Sequence, residues 1–328
     1  MKKLGIVLPT FNRCTFAKDC VDNLLPQLLW NKENTCLLIT DNSSPDDTEV
    51  FLRPYSEQYP DLIKYVRQKE NIGPHANFYY GVNNIDAEYV FLLGDDDIIA
   101  PNFISTILML INIYKGVGLM HFNHIVISPN QKEIFLYQFK FNLKSLIRKY
   151  SSGAEFIEEY LTTPSFMSSI VFRKECMLDG FKHNYHEECY GYDWLLCLYY
   201  GILNYSCIYY PFPLVIQRSG EIYERYALNT ILGQQRIFDY MSKYIPNIDN
   251  YWKKDIYTNK NREILRVIGT IPQFKDFYAQ YYEELKSCLY SRMHQRLLYV
   301  AIFFPKSLAL LIMGIAKLFT MFLYRRSF

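Results

Sequence analysis

Short, unbroken apolar runs alternate with longer amphipathic stretches through the first 130 residues. LGIVLP (4–9), TCLLIT (35–40), LIKYVRQ (62–68) and YVFLLG (89–94) have strand length and composition. Between them, residues 15–30, 46–58 and 74–84 have helical length and period. Strand–helix alternation at this spacing predicts a mostly parallel sheet with both faces covered. GLMHFNHIVIS (118–128) predicts a further strand, after a helix that starts near Pro101. Patterning weakens over 129–220, where helices are predicted near 151–162 and 192–203, and 221–296 reads as mainly helical with one polar side. No repeat or low-complexity linker interrupts the chain. The expected class is α/β: a Rossmann-like, mostly parallel sheet flanked by helices over 1–220, a helical extension over 221–296, and a hydrophobic tail over 297–328.

That tail differs in kind. SLALLIMGIAKLFTMFLY (307–324) is eighteen residues with a single charge, Lys317. It approaches the roughly 30 Å needed to cross a bilayer, but a span would carry Arg325 and Arg326 out of the cytosol, against the positive-inside bias. On a helical wheel Lys306, Lys317, Thr320 and Tyr324 share one stripe. A helix lying in the membrane interface is therefore expected, with its lysines reaching the headgroups.

Bulk composition narrows the class further. The 328 residues carry a net charge of +2 with the signs well mixed, so no nucleic acid or other polyanion is implied. Half the residues are hydrophobic, enough for a sizeable core. The eight cysteines form no CxxC pair and no disulfide framework, which suits a reducing compartment. The N-terminal apolar run is too short for a secretory signal and reads as a buried first strand.

In a parallel sheet, ligands sit beyond the carboxyl ends of the strands. Three of the predicted strands end there in polar groups: PTFNR (9–13), DNSS (41–44) and GDDD (94–97). Three adjacent carboxylates repel one another unless a hard divalent cation relieves them, and Mg²⁺ or Mn²⁺ so held commonly also takes substrate phosphate oxygens. One aspartate would have been enough to start the helix near Pro101.

At these residues the chain resembles the inverting nucleotide-sugar glycosyltransferases of family 2, which have the A-type glycosyltransferase fold. The resemblance is carried by VLPTFNR, ITDNSSPDDT, ENIGPHANF, FLLGDDDIIAPNF and YGYDWLLCLYYG, in the family's order over roughly residues 4–200. GDDD is most similar to bacterial surface-polysaccharide and O-antigen transferases, including the abequosyltransferase-like group. The resemblance implies that Pro9, Thr10 and Asn12 line the nucleotide pocket, that Asp41 accepts a hydrogen bond from the base, and that Asn71 and Gly73 flank the donor. It puts Asp95 on the ribose, and Asp96 with Asp97 on the metal. Many relatives have aspartate where this chain has Gly94, which leaves the exact metal ligand open. Asp193 in YGYDW matches the second acidic motif, the general base, although Tyr192 stands where the family usually has glutamate. Glu187 and Glu188 are the reserve bases, and capping of the following helix is the structural alternative for Asp193. Arg218 in VIQRSGE is expected to reach the diphosphate from a loop.

The expected function is transfer of a sugar from a nucleoside-diphosphate sugar to a hydroxyl of a lipid-linked glycan. The expected place is the cytoplasmic face of the inner (plasma) membrane, with the protein held there peripherally or monotopically by its tail. Two other classes compete: a nucleotidyltransferase or other nucleotide-binding α/β enzyme, and a non-catalytic membrane-bound scaffold. Against the first, no Gly-rich phosphate loop follows the first strand. His183, His186 and Cys189 have no convincing fourth ligand for zinc beside them.

Overall fold

The computed structural model describes residues 1–127, 134–137, 147–160, 166–218, 228–246, 248, 268–269, 271–289 and 292–313. The chain divides into two compact units, Met1–His186 with Trp194–Gly220, and Glu187–Asp193 with Glu221–Phe328.

In the first unit the chain begins β1 (Lys2–Thr10), α1 (Cys14–Trp30), β2 (Thr35–Asp41), α2 (Thr48–Gln58), β3 (Ile63–Arg67), α3 (Pro74–Asn84) and β4 (Ala87–Leu92). These are the elements the apolar runs predict, with ends shifted by two residues or fewer. A short β5 (Ile98–Ile99), α4 (Phe103–Ile113) and β6 (Leu119–Ile127) follow, then β7 (Ile134–Tyr137), β8 (Arg148–Tyr150) and α5 (Gly153–Tyr160). β9 (Ile170–Arg173), α6 (Lys174–Asn184), α7 (Asp193–Ile202, in this unit from Trp194 on) and β10 (Cys207–Arg218) complete it.

The sheet order is β3-β2-β1-β4-β9-β6-β10-β5. Pairings from β3 to β4 are parallel, as is β6 with β10, while β9 is inserted antiparallel between β4 and β6. Leu4, Ile6, Leu8, Tyr89 and Phe91 are wholly buried, as expected for central strands covered on both faces.

Five strands were not foreseen: β5, β7 and β8, each of four residues or fewer, and β9 and β10. β9 has four residues, too few for a periodic signal. β10 contains Pro211 and Pro213, and proline inside an apolar run argues against a paired strand. The structure accommodates them by register shifts against β6 between Tyr210 and Pro213 and between Pro213 and Val215.

Helices α6 and α7 meet backbone to backbone through glycines. A Cβ added to Gly180 would lie 1.8 Å from the Cys197 carbonyl oxygen, and one on Gly201 would lie 1.8 Å from that of Cys176. Neither obstacle is a flexible side chain, so the helices would have to separate. Gly180→Ala should therefore cost about 3 kcal/mol, at the upper end of overpacking effects, and appear as a fall in Tm. An unchanged Tm would mean the helices do not approach this closely.

The second unit contains a π turn at Leu228–Gly233, α8 (Gln234–Met241), α9 (Lys275–Ala279), α10 (Tyr282–Ser287), α11 (Arg292–Phe303) and a further helical stretch at 306–313. Its own core joins Ile268, Ile271, Tyr278, Leu285, Leu298, Ala301 and Met313. The start of the tail therefore contributes to this core. Lys317, Thr320, Tyr324 and the terminal arginines lie outside the described residues. Among the described residues no helix is long and apolar enough to cross a membrane.

Candidate active site

The parallel register sets the first part of the site. Thr10 pairs with Asp41 at the carboxyl ends of β1 and β2, and Leu93, just past β4, donates its N–H to the Val7 carbonyl. Asn12 then takes the left-handed conformation (φ 56°), turning the chain from strand into α1; asparagine tolerates that region better than most residues. The Asn12 N–H donates to Ser44 Oγ at 2.9 Å, joining this turn to the one after β2.

The acidic trio is split between two environments. Thr10 Oγ1 donates to Asp95 Oδ2 at 2.8 Å. Arg13 Nη1 donates to both Asp95 Oδ1 (3.1 Å) and Asp96 Oδ2 (2.8 Å), so two carboxylates converge on one cation. Burial pushes the Asp95 carboxyl above the usual carboxylate range, with Arg13 and Thr10 pulling the other way. Asp97 faces elsewhere. Its Oδ2 accepts a 2.6 Å hydrogen bond from Ser168 Oγ, which in turn accepts the Gly94 N–H at 2.8 Å. Burial, and then the neighbouring Asp96 charge, push the Asp97 carboxyl well up. A Cβ on Gly94 would lie 2.6 Å from Asp97 Oδ2, so glycine at this position leaves room for Asp97 to turn onto Ser168.

These contacts test the fit of a divalent ion. The Arg13 guanidinium stands where a cation is shared by Asp95 and Asp96, and hard carboxylate oxygens suit Mg²⁺ or Mn²⁺. Those two residues fit such an ion, whereas the Asp97 carboxylate is committed to Ser168. Among the described residues no group of three His, Cys, Asp or Glu side chains is arranged to hold a metal.

Asp41 is wholly buried. Oδ1 accepts the Ser44 N–H (2.9 Å), and Oδ2 accepts Tyr65 Oη (2.6 Å) and Arg67 Nη1 (2.9 Å). A carboxylate offers about four acceptor positions, and three of those on Asp41 are taken within the protein. Asn71 Oδ1 accepts from Asn42 Nδ2 and from the Gly73 N–H, which has φ 82°, so Asn71 shapes the loop that leads into α3.

Arg218 is the last residue of β10, so it is carried by the sheet and not by a loop. Its Nε donates to the Asp96 carbonyl, Nη1 lies 3.6 Å from Asp19 Oδ2, and the guanidinium stacks 4.9 Å above the Phe16 ring. Nη2 is buried and has no hydrogen-bond partner among the described residues. An unsatisfied guanidinium N–H beside the acidic turn is matched chemically by a phosphate oxygen.

Asp193 lies in the second unit and opens α7. Its Oδ1 accepts the Cys189 N–H at 2.7 Å and its Oδ2 the Gly191 N–H at 3.1 Å, closing a turn in which Tyr190 and Gly191 have positive φ. It therefore holds that turn whatever else it does. Glu187 and Glu188 precede the turn and are exposed.

The structure thus brings Thr10, Asp95, Asp96 and Arg218 together, with Asp41 one strand away, and separates Asp97 from its two neighbours. Arg13 stands within the PTFNR motif, so its position was visible before its role. Ser168, Tyr65 and Arg67 had no motif to mark them.

The carboxyl edge of the sheet's parallel part thus carries an acidic turn beside an arginine. Residues 5–155 match the family model described as Glycosyl transferase family 2. It is 22% identical over 293 residues to an uncharacterized glycosyltransferase of Rickettsia typhi, covering 86% of this chain and 80% of that one. It is 25% identical over 230 residues to the abequosyltransferase RfbV of Salmonella typhimurium, covering 66% of each. Residues 1–349 of S. aureus TarS, solved with UDP-GlcNAc, align with a TM-score of 0.60 at 13% identity, over 91% of this chain and 87% of that chain. The shared fold is the A-type glycosyltransferase fold.

Proposed function

We propose that this chain is an inverting glycosyltransferase. It moves a sugar from a nucleoside-diphosphate sugar to a hydroxyl of a lipid-linked glycan during synthesis of a bacterial surface polysaccharide such as O-antigen. The observation that carries this reading is the cluster of Thr10, Arg13, Asp95, Asp96 and Arg218 at the carboxyl edge of the sheet. Carboxylates for a ribose or a cation stand there beside a guanidinium for a diphosphate. The abequosyltransferase of Salmonella typhimurium supports the O-antigen class, and a Campylobacter jejuni relative, 29% identical over 113 residues, is a glucosyltransferase whose name gives an undecaprenol-linked acceptor.

Each residue then has a task. Pro9, Thr10 and Asn12 line the nucleotide pocket, and Asp41 offers its remaining acceptor position to the base. Asn71 and Gly73 keep the donor-flanking loop in place. Asp95, oriented by Thr10, meets the ribose, and Arg218 Nη2 donates to a diphosphate oxygen. Asp193 takes the proton from the acceptor hydroxyl as that oxygen attacks the anomeric carbon, and the single displacement inverts its configuration. Asp95 and Asp96 would hold a Mg²⁺ or Mn²⁺ ion, which neutralises charge on the departing nucleoside diphosphate. Leu308, Leu310 and Leu311 are exposed at the start of the tail, which supports peripheral attachment at the cytoplasmic face of the inner membrane.

The direct test offers purified protein UDP-, GDP-, CDP- and dTDP-sugars with Mg²⁺ or Mn²⁺. One nucleotide class should bind and be hydrolysed slowly without acceptor. Folded protein that binds none of them would reject the reading.

A further inference from the structure

Helix α11 carries an arrangement that donor binding does not use. Arg292, Arg296, Tyr299 and Phe303 recur at helical spacing on one stripe, cations towards the N-terminal end and aromatic rings towards the other. The first two are exposed, and Tyr299 and Phe303 are 48% and 50% exposed. The stripe borders an open cleft of about 490 Å³, whose lining includes Tyr282, Lys286, Arg292, Arg296, Tyr299 and Phe304 and no carboxylate. Lys286 sits 5.2 Å above the Tyr282 ring and 3.4 Å from Glu283. Neither Arg292 nor Arg296 forms an ion pair among the described residues.

The placement is unfavourable for the isolated helix. Arginines in the first turns face the positive end of the helix dipole, and no acidic residue stands in the first turn to offset them. A multivalent anion is what this end of the helix lacks. Continuing along the chain, Leu308 and Leu311 expose 41% and 61% of their surface. Basic groups backed by aromatic and aliphatic side chains match the boundary between lipid headgroups and acyl chains.

We propose that this cleft binds the anionic phosphate of a bilayer lipid, with Arg292 and Arg296 on the phosphate and Tyr299, Phe303 and Leu311 against the acyl region. The proposal rests on the membrane-surface reading above for the source of its ligand, and on the cleft alone for its chemistry.

The test is co-sedimentation of the full chain with vesicles of phosphatidylcholine alone and with vesicles containing one-third phosphatidylglycerol, at low and high salt. The wild type should partition to the anionic vesicles at least tenfold more strongly, with the preference shrinking as salt rises. The double variant Arg292→Gln/Arg296→Gln changes two exposed positions. It should lose roughly ten- to thirtyfold of the anionic preference, while keeping its Tm, its donor hydrolysis and its residual binding to phosphatidylcholine. A double variant that keeps the full preference overturns the proposal. Equal binding of the wild type to both vesicle types also overturns it but leaves membrane attachment standing. Binding to neither removes the membrane reading as well. Displacement from anionic vesicles by millimolar inorganic pyrophosphate without change of salt effect would assign the cleft to a soluble anion and overturn the lipid claim.

Discussion

Asp193→Asn should lower kcat by about two to four orders of magnitude, the usual contribution of a positioned general base, and leave donor affinity nearly unchanged. The substitution removes the proton acceptor while keeping the size of the side chain. It also disturbs a turn, because Asp193 accepts from two backbone N–H groups and an amide has only one oxygen to offer them. The two roles separate by measurement. A base sets a limb in the pH dependence of kcat, and that limb disappears in the variant. A residue that only holds the turn shows its loss as a lower Tm and an altered donor Kd, with the pH profile intact. Wild-type turnover in the folded variant would reject the assignment and pass the role to Glu187 or Glu188, each tested by change to glutamine.

What could be read from the sequence follows what side chains impose along the chain. The strands from β1 to β4 are unbroken apolar runs because both faces of the sheet are covered, and that burial is written directly into LGIVLP and YVFLLG. Their carboxyl-end polar groups could then be expected to meet, and Thr10 does contact Asp95. Beyond β6 this direct relation weakens. β10 has prolines at 211 and 213 and survives by register shifts that no local pattern announces. β9 runs antiparallel and is too short to read. The close crossing of α6 and α7 depends on which backbone Gly180 and Gly201 face, which is a property of three dimensions.

The site divides along the same line. A run of three aspartates shows that carboxylates crowd together but not where each one points. That is settled by Thr10, Arg13 and Ser168, which lie about 70 to 85 residues from their carboxylate partners in the chain. The family resemblance pairs Asp96 with Asp97, and the structure groups Asp96 with Asp95 through Arg13. Asp41 shows the same limit. Its place at the end of β2 was legible, but its engagement by Tyr65 and Arg67 depends on β3 pairing in register beside it.

That regrouping makes the acidic trio unequal in a measurable way. Asp96→Ala should abolish the gain in donor affinity that Mn²⁺ provides and reduce turnover by about a hundredfold or more, since metal stabilisation of a leaving phosphate is worth several kcal/mol. Asp97→Asn should change metal-dependent binding by less than about threefold, because its carboxylate serves Ser168 and the Gly94 turn; its cost should fall on Tm, since an amide has one oxygen for both the Ser168 hydroxyl and the Arg218 backbone N–H, and a lost buried hydrogen bond is worth about 1 kcal/mol. Arg13→Ala gives the complementary sign. The guanidinium neutralises the carboxylates that the metal needs, so its removal should tighten Mn²⁺ binding in the absence of donor, as measured by calorimetry. Arg13→Lys, which keeps the charge but loses the planar fork, should fall between the two. Full metal-dependent donor affinity in Asp96→Ala, together with its loss in Asp97→Asn, would reverse the grouping. It would mean that Asp97 leaves Ser168 when the nucleotide binds.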